Sequence, residues 1–274
     1  MVLLWPNRPG VIIAFPKRYH NLFEGKVVII TGASEGIGAH LATALIQRGA
    51  HVALAARNES RLRIAAGSDT TNTLILAGDL TDHATRASLI AKTMERWGRL
   101  DVVINNAGRG SYYPPSVAPP DDARALFDLN FFAPLELAQL ATPHLRETRG
   151  TLVNICSIAA QIPLPWLPVY SASKAALASL TATQRIELRR AGVNVMGVFP
   201  GYVDTGFQTH ATGAPPERVV QGKRWSVSPE NCAAAILKGI EKRKHMVVTP
   251  RTGWPLVFLH RLFPRFVESR LEFV

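Results

Sequence analysis

The chain has 274 residues and 47% hydrophobic content, so it can bury a substantial core and falls within the size range of one α/β domain. Lysine and arginine outnumber aspartate and glutamate by 31 to 20, an excess that fits nucleic acid, an anionic membrane face or a phosphate-rich ligand. Because the basic residues are scattered and no basic-aromatic groove, helix-turn-helix or zinc pattern is found, the sequence disfavours a nucleic-acid binder.

The N-terminal segment, residues 1–24, is predicted to be an irregular arm. Its apolar pieces, Val2–Trp5 and Val11–Phe15, are interrupted by prolines and are too short for a spanning helix or a signal core. The two cysteines, Cys156 and Cys232, lie far apart and lack a metal-ligand spacing, so we expect neither a disulfide framework nor a metal site. These features favour a cytoplasmic protein in a reducing compartment.

From residue 26 onward, short β-branched runs alternate with amphipathic stretches, which is the pattern of βαβ units. The predicted strands are Val27–Thr31, His51–Ala55, Leu74–Ala77, Val102–Asn105, Thr151–Cys156, Asn194–Phe199 and Met246–Thr249. The predicted helices are Ile37–Arg48, Ala84–Trp97, Asp122–Leu145, Tyr170–Arg190 and Pro229–Lys242. Continuous apolar strands suit a parallel sheet that is covered on both faces. The sequence therefore predicts a single α/β domain over residues 25–250, with a Rossmann-like doubly wound parallel sheet of about seven strands.

A glycine-rich loop follows the first predicted strand and opens the first predicted helix. Glycine at such positions lets backbone amides approach a pyrophosphate at a helix N-terminus, where the helix dipole favours anions. The loop alone is weak support for nucleotide binding, because loops between strands and helices are often rich in glycine. The residues in question are Gly32, Ser34, Glu35, Gly36, Ile37 and Gly38.

Tyr170 and Lys174 stand four residues apart, and Ser157 lies thirteen residues upstream of the tyrosine. If the stretch after Tyr170 is helical, the phenol and the ammonium project from the same face. Lowering the phenol pKa from ~10 to about 7 requires roughly 4 kcal/mol. A cation about 4 Å away supplies this only at an effective dielectric of ~20, which means in a partly closed pocket. The spacing therefore indicates carbonyl chemistry.

Further motifs accompany these residues in a fixed order. Asn105–Gly108 follows the fourth strand, Asn130 lies in the next helix, and Pro200 with Gly201 follows the sixth strand. Together, over about residues 25–250, the motifs resemble the short-chain dehydrogenase/reductase family in both order and spacing. The terminal arms lie outside the resemblance.

The resemblance implies a role for each of four side chains. Tyr170 is implied to be the general acid that protonates a carbonyl oxygen, or the base in the reverse direction, while Lys174 lowers its pKa and binds the nicotinamide ribose. Ser157 is implied to hydrogen-bond the substrate oxygen, and Asn130 to position a water that connects the lysine to solvent. Donors aimed at the developing negative charge on oxygen stabilise such a transition state.

The resemblance also assigns the nucleotide contacts, and the end of the second strand bears on which nucleotide is used. An acidic residue there would bind the ribose 2′-hydroxyl of NAD, whereas this chain has Ala56 followed by Arg57, which suits the 2′-phosphate of NADP. We therefore expect NADP(H) in preference to NAD(H). Glu35 opposes this expectation, since some NADP-using relatives carry a basic residue at that place. Besides the glycine-rich loop and Arg57, the implied contacts are Asp79, Leu80, Asn106, Ala107, Gly108, Tyr170, Lys174, Pro200, Gly201, Val203 and Thr205.

Two of these assignments keep a structural alternative. Asp79 and the Asn105–Gly108 segment are also ordinary turn-forming sequences at strand ends.

The segment Ile158–Val169 joins Ser157 to Tyr170 and is almost uncharged. Tyr112, Tyr113 and a lid over Thr205–Trp225 are expected to complete the pocket. An apolar lining favours a hydrophobic ketone or secondary alcohol, and hence a carbonyl reductase. The alternative is that these apolar residues simply pack the lid.

The C-terminal arm, residues 251–274, has apolar residues at helical spacing, with arginines between them and a break at Pro264. Such a stretch can lie in a bilayer interface, or it can pack on its own domain or on a partner subunit. The resemblance also implies a homodimer or homotetramer. The apolar residues are Trp254, Val257, Phe258, Leu262, Phe266, Val267 and Leu271.

A competing hypothesis is an NAD(P)-binding regulatory protein that has the same fold but no significant turnover. The intact set of Asn130, Ser157, Tyr170 and Lys174 argues against it.

Overall fold

The computed structural model describes residues 22–68, 71–214 and 226–271. Its strands are β1 Val27–Thr31, β2 His51–Ala56, β3 Thr73–Ala77, β4 Val102–Asn105, β5 Ser111–Tyr112, β6 Thr151–Ile155, β7 Asn194–Pro200, β8 Thr212–Gly213 and β9 Met246–Thr249. Its α-helices are α1 Gly36–Ile46, α2 Glu59–Ala66, α3 His83–Trp97, α4 Pro120–Phe127, α5 Ala133–Thr148, α6 Pro168–Leu188, α7 Pro229–Glu241, α8 Gly253–Leu262 and α9 Pro264–Leu271. A π-helical turn, Asp128–Phe132, links α4 to α5, and 3₁₀ turns span Ile158–Ala160, Arg189–Ala191 and Gly206–His210.

Seven strands form one parallel sheet in the order β3-β2-β1-β4-β6-β7-β9. The chain builds outward from β1 to β3 and then crosses to β4 on the other side. This reversal places a crevice outside the carboxyl ends of β1 and β4, where parallel α/β sheets bind ligands. The predicted doubly wound sheet of seven strands is confirmed.

Alternate residues of each strand face opposite layers, as the two-residue period of a strand requires. Val28 and Ile30 pack in a core with residues of α1, α2 and α7, while Val27 and Ile29 pack in a second core with residues of α3 and α5. Both faces are thus covered, which explains why the strands are apolar throughout.

The structure differs from the predicted elements in four places. The helix expected over Asp122–Leu145 is divided into α4, the π-helical turn and α5, and α2 was not predicted. Cys156 lies beyond β6, and β5 and β8 form a small parallel pair. Residues 1–21 of the predicted N-terminal arm and residues 215–225 of the predicted lid, including Trp225, lie outside the described residues. Within the described ranges, no helix is long and apolar enough to cross a bilayer.

Candidate active site

The glycine-rich loop is held against the end of β4 by a set of short contacts. The Asn106 side-chain amide donates to the carbonyls of Thr31 and Gly32, both at 3.0 Å. Gly32 has a φ of +64°, and a Cβ added to it would lie 2.8 Å from Ala107 Cα. A Cβ on Gly38 would lie 2.2 Å from the Gly32 carbonyl oxygen. Any larger residue at these two positions would push the α1 N-terminus away from the sheet edge.

The four predicted catalytic side chains are brought together at the carboxyl ends of β4 and β6. Asn130, Ser157, Tyr170 and Lys174 are between 0% and 9% exposed. Ser157 lies close enough to the Tyr170 phenol to oppose the rise in its pKa. A Cβ built on Gly108 would lie 3.0 Å from Asn130 Oδ1 and 3.1 Å from Lys174 Nζ, so both groups closely approach this glycine. The arrangement offers a phenol, a hydroxyl and an amine within one buried cluster.

Asn130 lies in the π-helical turn, and its side chain makes three hydrogen bonds. Its Oδ1 accepts from the Arg109 N–H at 3.1 Å, and its Nδ2 donates to the Arg109 carbonyl and to Ser173 Oγ, each at 3.1 Å. Ser173 in turn donates to the Tyr170 carbonyl at 2.8 Å. Asn130 therefore ties the loop after β4 to the first turns of α6.

The protonation of the central pair differs from the expectation that Lys174 lowers the tyrosine pKa. Burial raises the pKa of Tyr170 to about 12, although the Ser157 hydrogen bond opposes this shift. Burial also lowers the pKa of Lys174 to about 8. The Lys174 ammonium donates to the Ile155 carbonyl at 2.9 Å. The protein's own groups thus keep the phenol protonated, and its acidity is not increased by the lysine in this arrangement.

The predicted nucleotide contacts near β2 and β3 have different environments. Ala56 is buried and Arg57 is exposed at the crevice edge. The Asp79 Oδ1 accepts from the backbone N–H and the hydroxyl of Thr81, at 2.9 and 2.8 Å. The Thr81 N–H hydrogen bond is the main reason that the pKa of Asp79 is below its ordinary value. Leu80 is buried. Asp79 therefore has the turn-forming role that the sequence left open, and its contact with adenine stays a prediction.

Glu35 makes contacts that sequence reasoning did not anticipate. One carboxylate oxygen is 2.7 Å from Arg61 Nη1 of α2, and the other is 2.7 Å from His210 Nε2. A Cβ on Gly36 would lie 3.1 Å from Thr205 Cγ2. The glycine-rich loop is thus joined to the segment after β7, and the negative charge of Glu35 is paired with the Arg61 guanidinium.

The segment after β7 carries the remaining predicted contacts. Pro200 ends β7, and the Gly201 N–H donates to the Thr249 carbonyl at 2.8 Å. Val203 pairs with Val227 in an isolated parallel bridge. Thr205 caps the 3₁₀ turn that follows, since its hydroxyl accepts from the Phe207 N–H at 3.3 Å.

The wall of the site beside Tyr170 is apolar. Phe207 meets the Tyr170 ring edge-on, with a centroid separation of 5.6 Å. Tyr112 and Leu167 are buried in the same cluster, and Leu164 packs against it. These contacts place the segment between Ser157 and Tyr170, and the start of the predicted lid, around the phenol.

Several groups that build the site carry no recognisable sequence signal. The Ile155 carbonyl accepts a hydrogen bond from Lys174, and Ser173 Oγ accepts one from Asn130. The Glu35 carboxylate contacts Arg61 and His210. Each contact joins residues that are distant in the chain, and only the sheet topology brings them together.

A family model described as short chain dehydrogenase matches residues 26–214, more than half of the chain. The chain belongs to the short-chain dehydrogenase family. Curated relatives in this family include an 11-beta-hydroxysteroid dehydrogenase-like 2 from Arabidopsis thaliana, which is 34% identical over 91% of this chain and 82% of its own length. An L-fucose dehydrogenase from Mus musculus is 35% identical over 67% of each chain.

Solved short-chain dehydrogenase structures share the fold. One from Burkholderia cenocepacia J2315, in complex with NADP, has a TM-score of 0.77 and 28% identity, covering 91% of this chain and 98% of its own. Another, from Burkholderia phymatum in complex with NAD, has a TM-score of 0.82 and 23% identity, covering 89% of this chain and 95% of its own. The chain is therefore a member of an oxidoreductase family, and the two neighbouring structures contain NADP and NAD, respectively.

Proposed function

We propose that the protein is an NADP(H)-dependent reductase of hydrophobic ketones, reversible towards the secondary alcohol, with Tyr170 as its acid and base. The observation that carries this proposal is the buried cluster of Ser157, Tyr170 and Lys174, in which Ser157 acts on the pKa of the phenol. A buried amine destabilises the fold, and a regulatory protein without turnover would gain nothing from keeping one.

The cofactor fits the groups that the chain offers. Gly32 and Gly38 keep the α1 N-terminus clear of any Cβ, as a diphosphate bound to backbone N–H groups requires. NADP(H) supplies the hydride in this chemistry. Lys174 is available for the nicotinamide ribose, and Gly201, Val203 and Thr205 for the rest of that half of the cofactor.

The raised pKa keeps Tyr170 protonated, as a proton donor has to be. At neutral pH the phenol is protonated, so a carbonyl oxygen placed beside it can take the proton as negative charge develops. Ser157 provides a second donor to the same oxygen. In the alcohol-oxidising direction the phenol must first lose its proton, and Lys174 is the nearby group that can stabilise the phenolate if it leaves the Ile155 carbonyl.

The choice of NADP(H) is supported by Arg57 and by the state of Glu35. The exposed guanidinium of Arg57 stands where a 2′-phosphate is recognised, and buried Ala56 offers no acceptor for a 2′-hydroxyl. Glu35 opposes the phosphate less strongly than an unpaired carboxylate would, because it forms an ion pair with Arg61. The related Burkholderia cenocepacia structure contains NADP.

The substrate class is supported by the apolar wall formed by Tyr112, Leu164, Leu167 and Phe207. Several relatives are named 11-beta-hydroxysteroid dehydrogenases or proteins like them, which act on steroid-sized apolar molecules according to that name. The relatives named L-fucose dehydrogenase support a sugar as the second candidate. An apolar wall suits the first class better, since a sugar would leave hydroxyls unpaired against it.

The test is NADPH consumption by the full chain with a panel of steroid-like and aromatic ketones, and NADP reduction with L-fucose. Tyr170→Phe is expected to bind NADPH normally, as measured by cofactor fluorescence, and to lose at least ~100-fold in kcat. Wild-type turnover in Tyr170→Phe would refute the mechanism. Preference for L-fucose would refute the substrate class.

Cofactor choice is tested separately by comparing Arg57→Ala with Arg63→Ala. Arg63 is an exposed arginine of α2 that pairs with Glu59 at 2.6 Å, so it serves as the matched control. We expect Arg57→Ala to raise KM for NADPH about 10- to 100-fold, as charge-assisted hydrogen bonds of ~1.5–3 kcal/mol imply. KM for NADH is expected to change little. A higher kcat/KM with NADH in the wild type would contradict the NADP(H) assignment.

A further inference from the structure

The two C-terminal helices, α8 and α9, expose a concentrated apolar surface. Of twelve large hydrophobic side chains that are exposed among the described residues, seven lie between residues 254 and 266. The rest are scattered singly over the domain, which is normal for a soluble surface. We call the seven the C-terminal face: Trp254, Leu256, Phe258, Leu259, Leu262, Phe263 and Phe266.

The two helices use very few residues to pack on their own domain. Val257 and Val267 are buried, whereas Phe258 and Phe266 are 63% and 53% exposed. Intramolecular packing therefore does not account for the apolar content of the C-terminal face. An exposed apolar cluster of this kind marks an interaction surface.

The helices are nevertheless fixed beside the active site. His260 Nδ1 is 3.1 Å from the Gln161 carbonyl oxygen. A Cβ on Gly253 would lie 2.8 Å from Ile158 Cδ1. Both contacts fall on the short segment that follows Ser157. A partner that covers the C-terminal face is therefore linked to a wall of the substrate pocket through α8.

The charges on this face distinguish between its candidate partners. Residues 251–274 contain four arginines and two glutamates. Arg261 and Arg265 are exposed, and the Arg270 guanidinium lies 5.5 Å from the centroid of the Phe266 ring. A second copy would present a face with the same excess of arginines, so two such faces would meet with like charge. An anionic lipid surface instead attracts the arginines and buries the aromatic rings.

We propose that the C-terminal face docks on the interface of a bilayer that contains anionic lipid, with α8 and α9 lying in the membrane plane. The helices have ten and eight residues, which suits lying in the interface and not crossing the bilayer. Docking would bring the Ile158–Gln161 segment close to the lipid surface. A lipid-soluble ketone could then reach the pocket without passing through bulk water, a consequence that rests on the proposed function.

The test is flotation of the full chain with vesicles of phosphatidylcholine containing phosphatidylserine, and with vesicles of phosphatidylcholine alone. We expect flotation with the anionic vesicles and weaker flotation with the neutral ones. The double variant Phe258→Ser, Phe266→Ser is expected to bind on the order of tenfold more weakly for each ring removed. The matched control is Ile64→Ser, Ile186→Ser, which removes exposed apolar side chains elsewhere and is expected to float like the wild type.

A charge-reversal variant separates the two contributions to binding. Arg261→Glu, Arg265→Glu is expected to weaken binding to anionic vesicles by about 25-fold or more, at roughly fivefold for each arginine lost. Binding to neutral vesicles is expected to change much less. Thermal unfolding of each variant checks that it is folded, and none of these readouts depends on enzymatic turnover.

Three results would overturn the proposal. In the first, the wild type remains in the lipid-free fraction and does not float with the anionic vesicles. In the second, the phenylalanine double variant floats as well as the isoleucine control. In the third, light scattering shows a wild-type oligomer that the phenylalanine variant converts to a monomer, without flotation of either protein. That last result would make the C-terminal face an interface between copies of the chain.

Discussion

Replacing Lys174 by methionine should make the protein more stable at neutral pH while abolishing its activity. Burial lowers the pKa of Lys174 from 10.5 to about 8. At ~1.4 kcal/mol per unit, keeping this amine charged in the folded state costs about 3 kcal/mol at about pH 7. Methionine removes that cost and occupies a similar volume.

Part of the gain is offset by the loss of a hydrogen bond. Lys174 Nζ donates to the Ile155 carbonyl at 2.9 Å, and leaving that carbonyl without its donor costs about 1 kcal/mol. The expected net effect of Lys174→Met is therefore an increase of about 2 kcal/mol in the free energy of unfolding at about pH 7.

The advantage should disappear as the pH rises. Because the pKa of Lys174 is lower in the folded state than in the unfolded state, its destabilising effect is complete below about pH 8 and is lost as the pH rises towards 10.5. Near pH 10 the lost hydrogen bond and the remaining desolvation penalty are of similar size, so Lys174→Met and the wild type should be about equally stable.

Urea denaturation at about pH 7 and about pH 10 measures both effects. Lys92→Met, a change at an exposed lysine of α3, is the matched control and should shift the unfolding free energy by less than about 0.5 kcal/mol at either pH. If Lys174→Met is less stable than the wild type at neutral pH, or if its advantage does not change with pH, the amine is not held charged in an apolar environment and the reasoning is wrong.

Three further substitutions test other parts of the site and the fold. Gly108→Ala adds a Cβ about 3.1 Å from Lys174 Nζ, and should lower kcat with NADPH roughly tenfold by displacing the amine, with little change in the unfolding midpoint. Asp101→Asn should cost about 2 kcal/mol in urea denaturation at neutral pH. Burial alone would raise the Asp101 pKa, but hydrogen bonds from Arg99, the Val27 N–H and Lys26 hold it below its ordinary value, so the difference from wild type should vanish as the pH falls through that lowered pKa. Glu35→Gln frees Arg61 and should lower KM for NADPH about threefold without changing KM for NADH, whereas the control Glu59→Gln should change neither.

Much of the fold could be predicted because continuous apolar strands and amphipathic helices leave a strong periodic signal. The exceptions have physical causes. The helix α2 was missed because only Leu62, Ala65 and Ala66 of its eight residues are buried, so it has little apolar periodicity. Its N-cap, Asn58, whose side chain accepts from the Arg61 N–H, is adjacent to residues that were considered only for nucleotide recognition.

The membership of the active site was predictable in outline, but its protonation was not. The spacing predicted that Tyr170, Lys174 and Ser157 would lie together, and all three are buried in the structure. The direction of the Tyr170 pKa shift depends on how completely the cluster is buried, and on the hydrogen bond that Lys174 donates to the Ile155 carbonyl. Neither can be read from local spacing. The pairing of Glu35 with Arg61 and His210 likewise depends on tertiary contacts alone.

The π-helical turn that carries Asn130 also limits how this region can be re-engineered. A π turn is wound with one residue more than an α-helical path over the same rise. Deleting one residue here, such as Leu129, would restore regular winding and turn the side chains inside the turn to other directions, while α4 and α5 keep their register. The asparagine amide would then point away from Arg109 and Ser173, which it now joins. The residue count of the turn between α4 and α5 therefore has to be kept if Asn130 is to hold both contacts.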